Sequence, residues 1–181
     1  MDVTAADYQL FVLGAMTRAP EPKVRDALTR LGADRAAMVR AGERIMAKRY
    51  GMRPAFEELD RLLGPARSEE PREADGETYL CRTYALPLWQ DLLFEIYGNA
   101  QGIVWDRRFV RAPGSRPPAA PDDPLELEPW SMTKTEVEAA YGPLADGEEW
   151  SPYAAYELRI GAAEYDVTFS WDLFQRIVRQ R

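Results

Sequence analysis

Histidine is absent from the 181 residues, which excludes His-based nucleophilic triads, imidazole general bases and the zinc sites that need imidazole. The single cysteine, Cys81, excludes an intramolecular disulfide and a four-cysteine zinc site. It lies in a strand-like run and reads as a buried thiol rather than a reactive one. The chain contains no G-x-G-x-x-G, no Walker-type phosphate loop and no D-x-D-x-D-G calcium loop, so no nucleotide, metal or other cofactor is expected. No run approaches the roughly 18 apolar residues of a membrane span. The start, MDVTAADYQLFVLGAM, lacks the basic opening and apolar run of a signal peptide, so the expectation is a cytoplasmic chain with no membrane partner.

What is present is ordinary globular material: 46% hydrophobic and 29% charged residues, in a length that allows one or two domains. Residues 1–50 read as a helical amino-terminal segment. Asp7 to Met16, Pro22 to Leu31 and Arg35 to Lys48 carry apolar residues at helical spacing, and Gly32 and Gly51 act as stops. Arg40, Arg44 and Lys48 recur at i+4 and read as a solvated helix face. Charge is uneven along the chain. Residues 1–63 hold 11 basic and 9 acidic residues, while residues 113–181 hold 6 basic and 13 acidic ones. An acidic carboxy-terminal third disfavours nucleic acid as a partner and favours a protein with a basic surface.

The most legible stretch is Trp130 to Gln180. Thr133 with Glu136 three residues on forms a capping-box pattern. Val137, Ala140 and Tyr141 share one helix face, and Gly142-Pro143 ends the helix. So short a helix must lie on an apolar surface to persist. That surface comes from three expected antiparallel strands. Tyr156, Leu158 and Ile160 alternate in the first, and Gly161-Ala162 makes a tight turn. Tyr165, Val167, Phe169 and Trp171 form the apolar face of the second, against Glu164, Asp166, Thr168 and Ser170. Phe174 to Val178 is the third.

A looser version of this plan occupies residues 51–111. Phe56, Leu59 and Leu63 share a helix face, and Gly64-Pro65 ends that helix as Gly142-Pro143 ends the later one. An acidic spacer, Ser68 to Glu77, leads to a strand over Thr78 to Leu86. Leu92, Phe94 and Ile96 then alternate, and a hairpin loop over residues 98–102 leads to Ile103, Trp105 and Phe109. Between the two units, residues 112–129 carry six of the chain's 14 prolines. They read as a linker or strap, because proline cannot serve a strand ladder. The fold expected is therefore α+β, with amino-terminal helices followed by two helix-plus-antiparallel-meander units, 51–111 and 130–181.

The run Ser-Met-Thr-Lys-Thr-Glu-Val-Glu-Ala-Ala-Tyr-Gly-Pro, residues 131–143, is similar to the helix-opening motif of the β-lactamase-inhibitor-like group, to which the SmpA/OmlA outer-membrane assembly lipoproteins also belong. Ser131 stands where the group has glycine, and the first unit has Arg53-Pro54 in place of its threonine. The resemblance implies tandem helix-sheet units that bind another protein across the sheet faces and the loops joining them.

On that geometry the candidate partner-binding residues are Trp130, Trp150 and Tyr153, in loops rich in Asp146, Glu148 and Glu149, together with Glu164 and Asp166 on the wet strand face. Trp89 and Tyr84 are the counterparts in the first unit. The leading function is a non-catalytic module that binds and neutralises a partner, as an immunity or inhibitor protein does. The alternative is an adaptor whose helices dock one component while the sheets hold another. A carboxylate enzyme using Glu57, Glu58, Asp60, Glu95 or Asp106 stands third, and the divergence of Glu57 from Glu58 on a helix argues against that pair.

Overall fold

The computed structural model describes residues 2–180 except 49, 52 and 75, so Asp75 of the acidic spacer lies outside the described residues. Three helices come first: α1 (Ala5–Gly14), α2 (Glu21–Arg30) and α3 (Arg35–Ala47). Thr4 and Asp34 cap α1 and α3 by accepting from the backbone amides of Asp7 and Ala37, an arrangement worth about 1 kcal/mol per helix. The Arg44 guanidinium bonds the Asp7 carboxylate. Arg44 thereby ties α3 to α1 and does not belong to a free basic face.

Two units of one design follow. In the first, α4 (Phe56–Leu63) precedes β1 (Ser68–Ala74), β2 (Glu77–Ala85), β3 (Leu92–Gly98) and β4 (Val104–Arg111). In the second, α5 (Lys134–Tyr141) precedes β5 (Leu144–Trp150), β6 (Tyr153–Ile160), β7 (Ala163–Ser170) and β8 (Leu173–Arg179). Each sheet is a four-stranded antiparallel meander in sequence order. The expected α+β class is the observed one, with one correction of detail. Both sheets gain a strand that reads in sequence as an acidic spacer or loop, β1 and β5. Both are edge strands, paired on one side only. An edge strand that buries neither face has no apolar alternation to read, and its charge guards it against pairing with other chains.

The wiring of the two units matches around the starts of their helices. Ala55 and Thr133, just before the helices, form isolated bridges to Ile103 and Leu173 at the start of each fourth strand. The amide of Phe56 donates to the carbonyl of Gly102 at 3.0 Å, and that of Lys134 to Asp172 at 2.8 Å. Glu58 and Glu136 accept from the amides of Ala55 and Thr133 at 2.9 and 2.8 Å. Gly64 and Gly142 close the helices with φ of 85° and 109°, a region that favours glycine.

The buried residues fall into two clusters. The larger joins α1–α4 to one face of the first sheet, through Tyr8, Leu13, Ile45, Phe56, Leu59, Phe94, Ile96 and Phe109. The smaller lies between α5 and the second sheet, through Val137, Leu158, Val167, Phe169 and Phe174. Trp171 does not belong with the latter. It occupies the turn between β7 and β8 with φ 52° and reaches into the larger cluster, where its ring meets Phe11 and Phe94 at 6.1 and 5.6 Å. The apolar strand face expected of Tyr165, Val167, Phe169 and Trp171 therefore stops at Phe169. At that point the register shifts and Ser170 is also buried.

Residues 112–129 run from β4 to α5 as a strap. The Tyr141 hydroxyl donates to the Pro121 carbonyl at 2.8 Å, a single 3-10 turn spans Pro124–Glu126, and Leu127 is buried with the second sheet's core. Among the described residues, no helix is long and apolar enough to cross a membrane.

Candidate protein-binding faces

With α5 on one face of the second sheet, the other face stays open. Its residues follow from the register. Glu148 and Trp150 of β5 stand beside Ala155 and Tyr153, Glu157 opposes Asp166, Arg159 opposes Glu164, and Thr168 opposes Arg176. Glu148, Trp150, Tyr153, Glu164 and Asp166 therefore share one surface. Arg159 is held by Glu157 and Glu164, at 3.2 Å each. Asp166 accepts from the Gln180 side chain at 2.8 Å. Glu148 makes no ion pair among the described residues.

At one end of this face the indole of Trp150, 45% exposed, lies 6.3 Å from the Tyr153 ring. The Arg18 guanidinium, from the loop after α1, sits over both rings at 5.5 and 5.2 Å. An amphipathic aromatic pair held by a cation is a rigid contact surface of the kind that anchors interfaces.

The remaining candidates part from this group. Glu149 projects to the opposite face, where it pairs with Lys134 of α5 at 2.7 Å. Asp146 sits in the bulge of β5 with φ 47°, next to Gly147, where a side chain would collide with the Tyr156 ring. Trp130 lies away from Trp150. Its backbone amide donates to the Phe174 carbonyl at 2.8 Å, its indole N–H to Gln175 at 3.0 Å, and its ring meets Trp89 edge-on at 6.4 Å. Trp89 and Tyr84 are themselves core residues, 6% and 1% exposed.

A second surface escaped the sequence reading. A groove of about 570 Å³ runs between α1, α3 and β4. Phe11, Met38, Val39, Met46, Trp105 and Trp171 contribute to its lining. Val39, Met46 and Trp105 are 58%, 46% and 49% exposed, and the Trp105 ring lies tilted against those of Tyr79 and Tyr97, with centroids 5.3 and 5.9 Å away. The sequence signal was the spacing of Val39 and Met46, which puts both on one side of α3 while other apolar residues of the helix face the core.

Of the carboxylates weighed for catalysis, Glu58, Asp60 and Glu95 are engaged in caps and ion pairs. Glu95, 2% exposed, pairs with Arg72 at 3.1 Å and Arg108 at 2.7 Å and accepts from the Tyr97 hydroxyl. Burial would raise its pKa, yet the Tyr97 and Arg108 hydrogen bonds and the two positive charges hold it below the usual glutamate value. Asp60 accepts from Arg82 at 2.7 Å and from the Tyr84 hydroxyl at 2.8 Å. Glu58 caps α4. Asp106 lines a polar pocket with Arg108, Lys134, Glu149 and Asp172. There the Asp172 carboxyl is raised, by burial first and by Asp106 and Glu149 in addition, against the pull of Lys134 and Arg108. Among the described residues no three acidic or thiol groups gather as a metal site would need.

No family model matches the chain, and no curated protein matches it in sequence. Among solved structures, it is similar to a "putative beta-lactamase inhibitor protein" from Streptococcus mutans, with 15% identity over 70% of this chain and 82% of that one and a TM-score of 0.29.

Proposed function

We propose that this chain is a non-catalytic protein-binding module that binds and neutralises a partner, in the manner of an immunity or inhibitor protein, and that it does so in the cytoplasm. The observation that carries the reading is the open face of the second sheet. Glu148, Glu164 and Asp166 form an acidic field there, ending in the rigid Trp150–Tyr153 pair. An aromatic anchor beside acid, of which Glu164 is paired with Arg159 and Glu148 and Asp166 are in no ion pair among the described residues, suits a partner whose contact surface is basic. The matched wiring of residues 51–111 and 130–181 supports reading them as tandem copies of one unit joined by the 112–129 strap. The motif at residues 131–143 supports the inhibitor-like role.

The adaptor reading has its own observation, the apolar groove beside α3. It meets the acidic face at Tyr153, which borders both, and would let the helices and the second sheet hold different components.

The test is capture of partners from lysate of the source on the tagged chain, followed by assay of the purified partner's activity with and without the chain. Under the leading reading, one dominant partner is captured, its activity falls on addition of the chain, and Glu148→Lys with Asp166→Lys releases it. Two partners held at once with no loss of activity establish the adaptor. A captured partner indifferent to both reversals refutes the acidic face as the site.

A further inference from the structure

The strap, α2 and the end of the first sheet enclose a cleft of about 460 Å³ that belongs to neither surface above. Four cations line it, Lys23, Arg30, Arg111 and Arg116, against a single carboxylate, Asp91. In a chain of net charge −7 this is a local inversion of sign, and a concave site focuses such a field.

The lining divides into a fixed floor and free arms. Arg111 is locked, with both carboxylate oxygens of Glu136 at 2.9 and 2.8 Å and the Ser131 carbonyl at 2.7 Å. Trp130 is locked as well. Its backbone sits at φ 65°, where a bulky residue persists only if its surroundings hold it, and its amide and indole N–H are both bonded. Lys23 lies 5.9 Å from the centre of its ring and 3.8 Å from Glu128. By contrast, neither Arg30 nor Arg116 has a carboxylate within ion-pair distance among the described residues, and both are exposed. The remaining wall is apolar at Leu88, Trp89, Leu92 and Pro118 and polar at Gln90 and Ser131.

We propose that this cleft binds a small organic polyanion, with its oxyanion groups on Arg30 and Arg116 and a flat apolar body against Trp130. Guanidinium forks suit phosphate and carboxylate alike, and the volume lies within the range of small-molecule sites. The inference does not depend on the protein-binding reading, because of the residues weighed for that role only Trp130 and the buried Trp89 lie here.

The experiment is calorimetric titration of the full chain with ATP, with benzene-1,3,5-tricarboxylate and with adenosine, repeated on the Arg30→Ala/Arg116→Ala double variant. Both substituted side chains are exposed, and an unchanged thermal midpoint checks that the variant folds. Saturable binding of either polyanion below about 1 mM, weakened roughly tenfold or more in the variant and absent with adenosine, is the expected result. Whether ATP or the tricarboxylate binds more tightly distinguishes a phosphate ligand from a carboxylate one. No saturable binding of either, or binding that the double variant leaves unchanged, overturns the proposal.

Discussion

The indole N–H of Trp171 donates to the carbonyl oxygen of Val12, 3.2 Å away and buried. That bond joins the tip of the last hairpin to the first helix. Three more bonds hold the same turn. The Trp171 amide donates to the Pro152 carbonyl, its own carbonyl accepts from Phe109, and the Asp172 carbonyl accepts from Lys134. One side chain thus couples the second sheet to the core built by α1–α4 and the first sheet. Trp171→Ala is expected to cost about 3–5 kcal/mol, the range for removing a large buried aromatic. In a chain of this size that lowers the melting temperature by roughly 10 °C, measurable by circular dichroism. A loss under about 1 kcal/mol would show that the hairpin is not the joint between the units.

The residue after Trp171 offers a contrast within the molecule. Asp172 has φ 58°, while Gly102, at the matching place in the first unit, has φ 76°. Left-handed backbone costs a residue with a Cβ about 1 kcal/mol, and glycine returns part of that gain through its freer unfolded state. Asp172→Gly also removes a carboxyl whose pKa burial raises. Such a group contributes stability fully below its unfolded value of 3.8 and loses it as pH rises through the folded value. At neutral pH the substitution is therefore expected to stabilise by about 0.5–1 kcal/mol, with the gain shrinking toward pH 4. Urea titrations at both pH values test this, and destabilisation at neutral pH would mean that the carboxylate holds the turn.

Much of the fold was legible because the deciding signals are local. Thr133, Glu136 and Gly142 mark both ends of α5 within ten positions. Tyr165, Val167 and Phe169 show their face by strict alternation. What stayed hidden depends on contacts distant in sequence. LADGEEW has no apolar period because, as an edge strand, it buries neither face. Trp171 continues the alternation of β7 by residue type although the chain has already turned, and a bulky aromatic is not a usual turn residue at positive φ. For the candidate site, alternation was enough to group Glu164 with Asp166. The bulge at Asp146 and Gly147 decides that Glu148 faces outward and Glu149 inward, and it has no one-dimensional signature.

That bulge supports a paired prediction. Glu148→Lys changes the open face, whereas Glu149→Lys sets a second cation beside Lys134 on the helix side. Once the partner is in hand, Glu148→Lys is expected to weaken its binding roughly tenfold or more with little change in stability, as for a charge at an interface rim. Glu149→Lys is expected to act in the other sense, costing up to about 1 kcal/mol of stability and leaving affinity near that of the native chain. Surface plasmon resonance and thermal melts on the two variants decide it. Equal losses of affinity would mean that the partner reaches around the edge of β5.

The thiol of Cys81 lies against the Glu95 network, 2% exposed, and its pKa is pushed up to about 12 by burial first and by the Glu95 carboxylate next. The thiolate, which is the reacting species, is therefore scarce at ordinary pH. Native protein at pH 8 is expected to react with a disulfide reagent only at the rate at which the first sheet opens, and fully within seconds in denaturant. Rapid labelling of the native chain would show that the outer face of the first sheet opens locally.

Glu95 itself supports the sharpest pH test. Its carboxylate is held below the ordinary value by Tyr97, Arg108 and Arg72 in spite of burial. A depressed acid contributes stability that is complete above its unfolded value of 4.5 and is lost as pH falls through the lower folded value. Replacing it with glutamine leaves Arg72 and Arg108 without their shared counter-charge, and breaking a buried pair costs about 3 kcal/mol at neutral pH. The half-exposed arginines regain some hydration, so the loss is expected at or somewhat below that figure. The variant should also fall less steeply in stability between pH 5 and pH 2, because one of the groups that drives acid unfolding is gone. Denaturant curves across that range are the measurement. A variant that runs parallel to the native chain, offset at every pH, would mean that Glu95 acts through packing rather than charge.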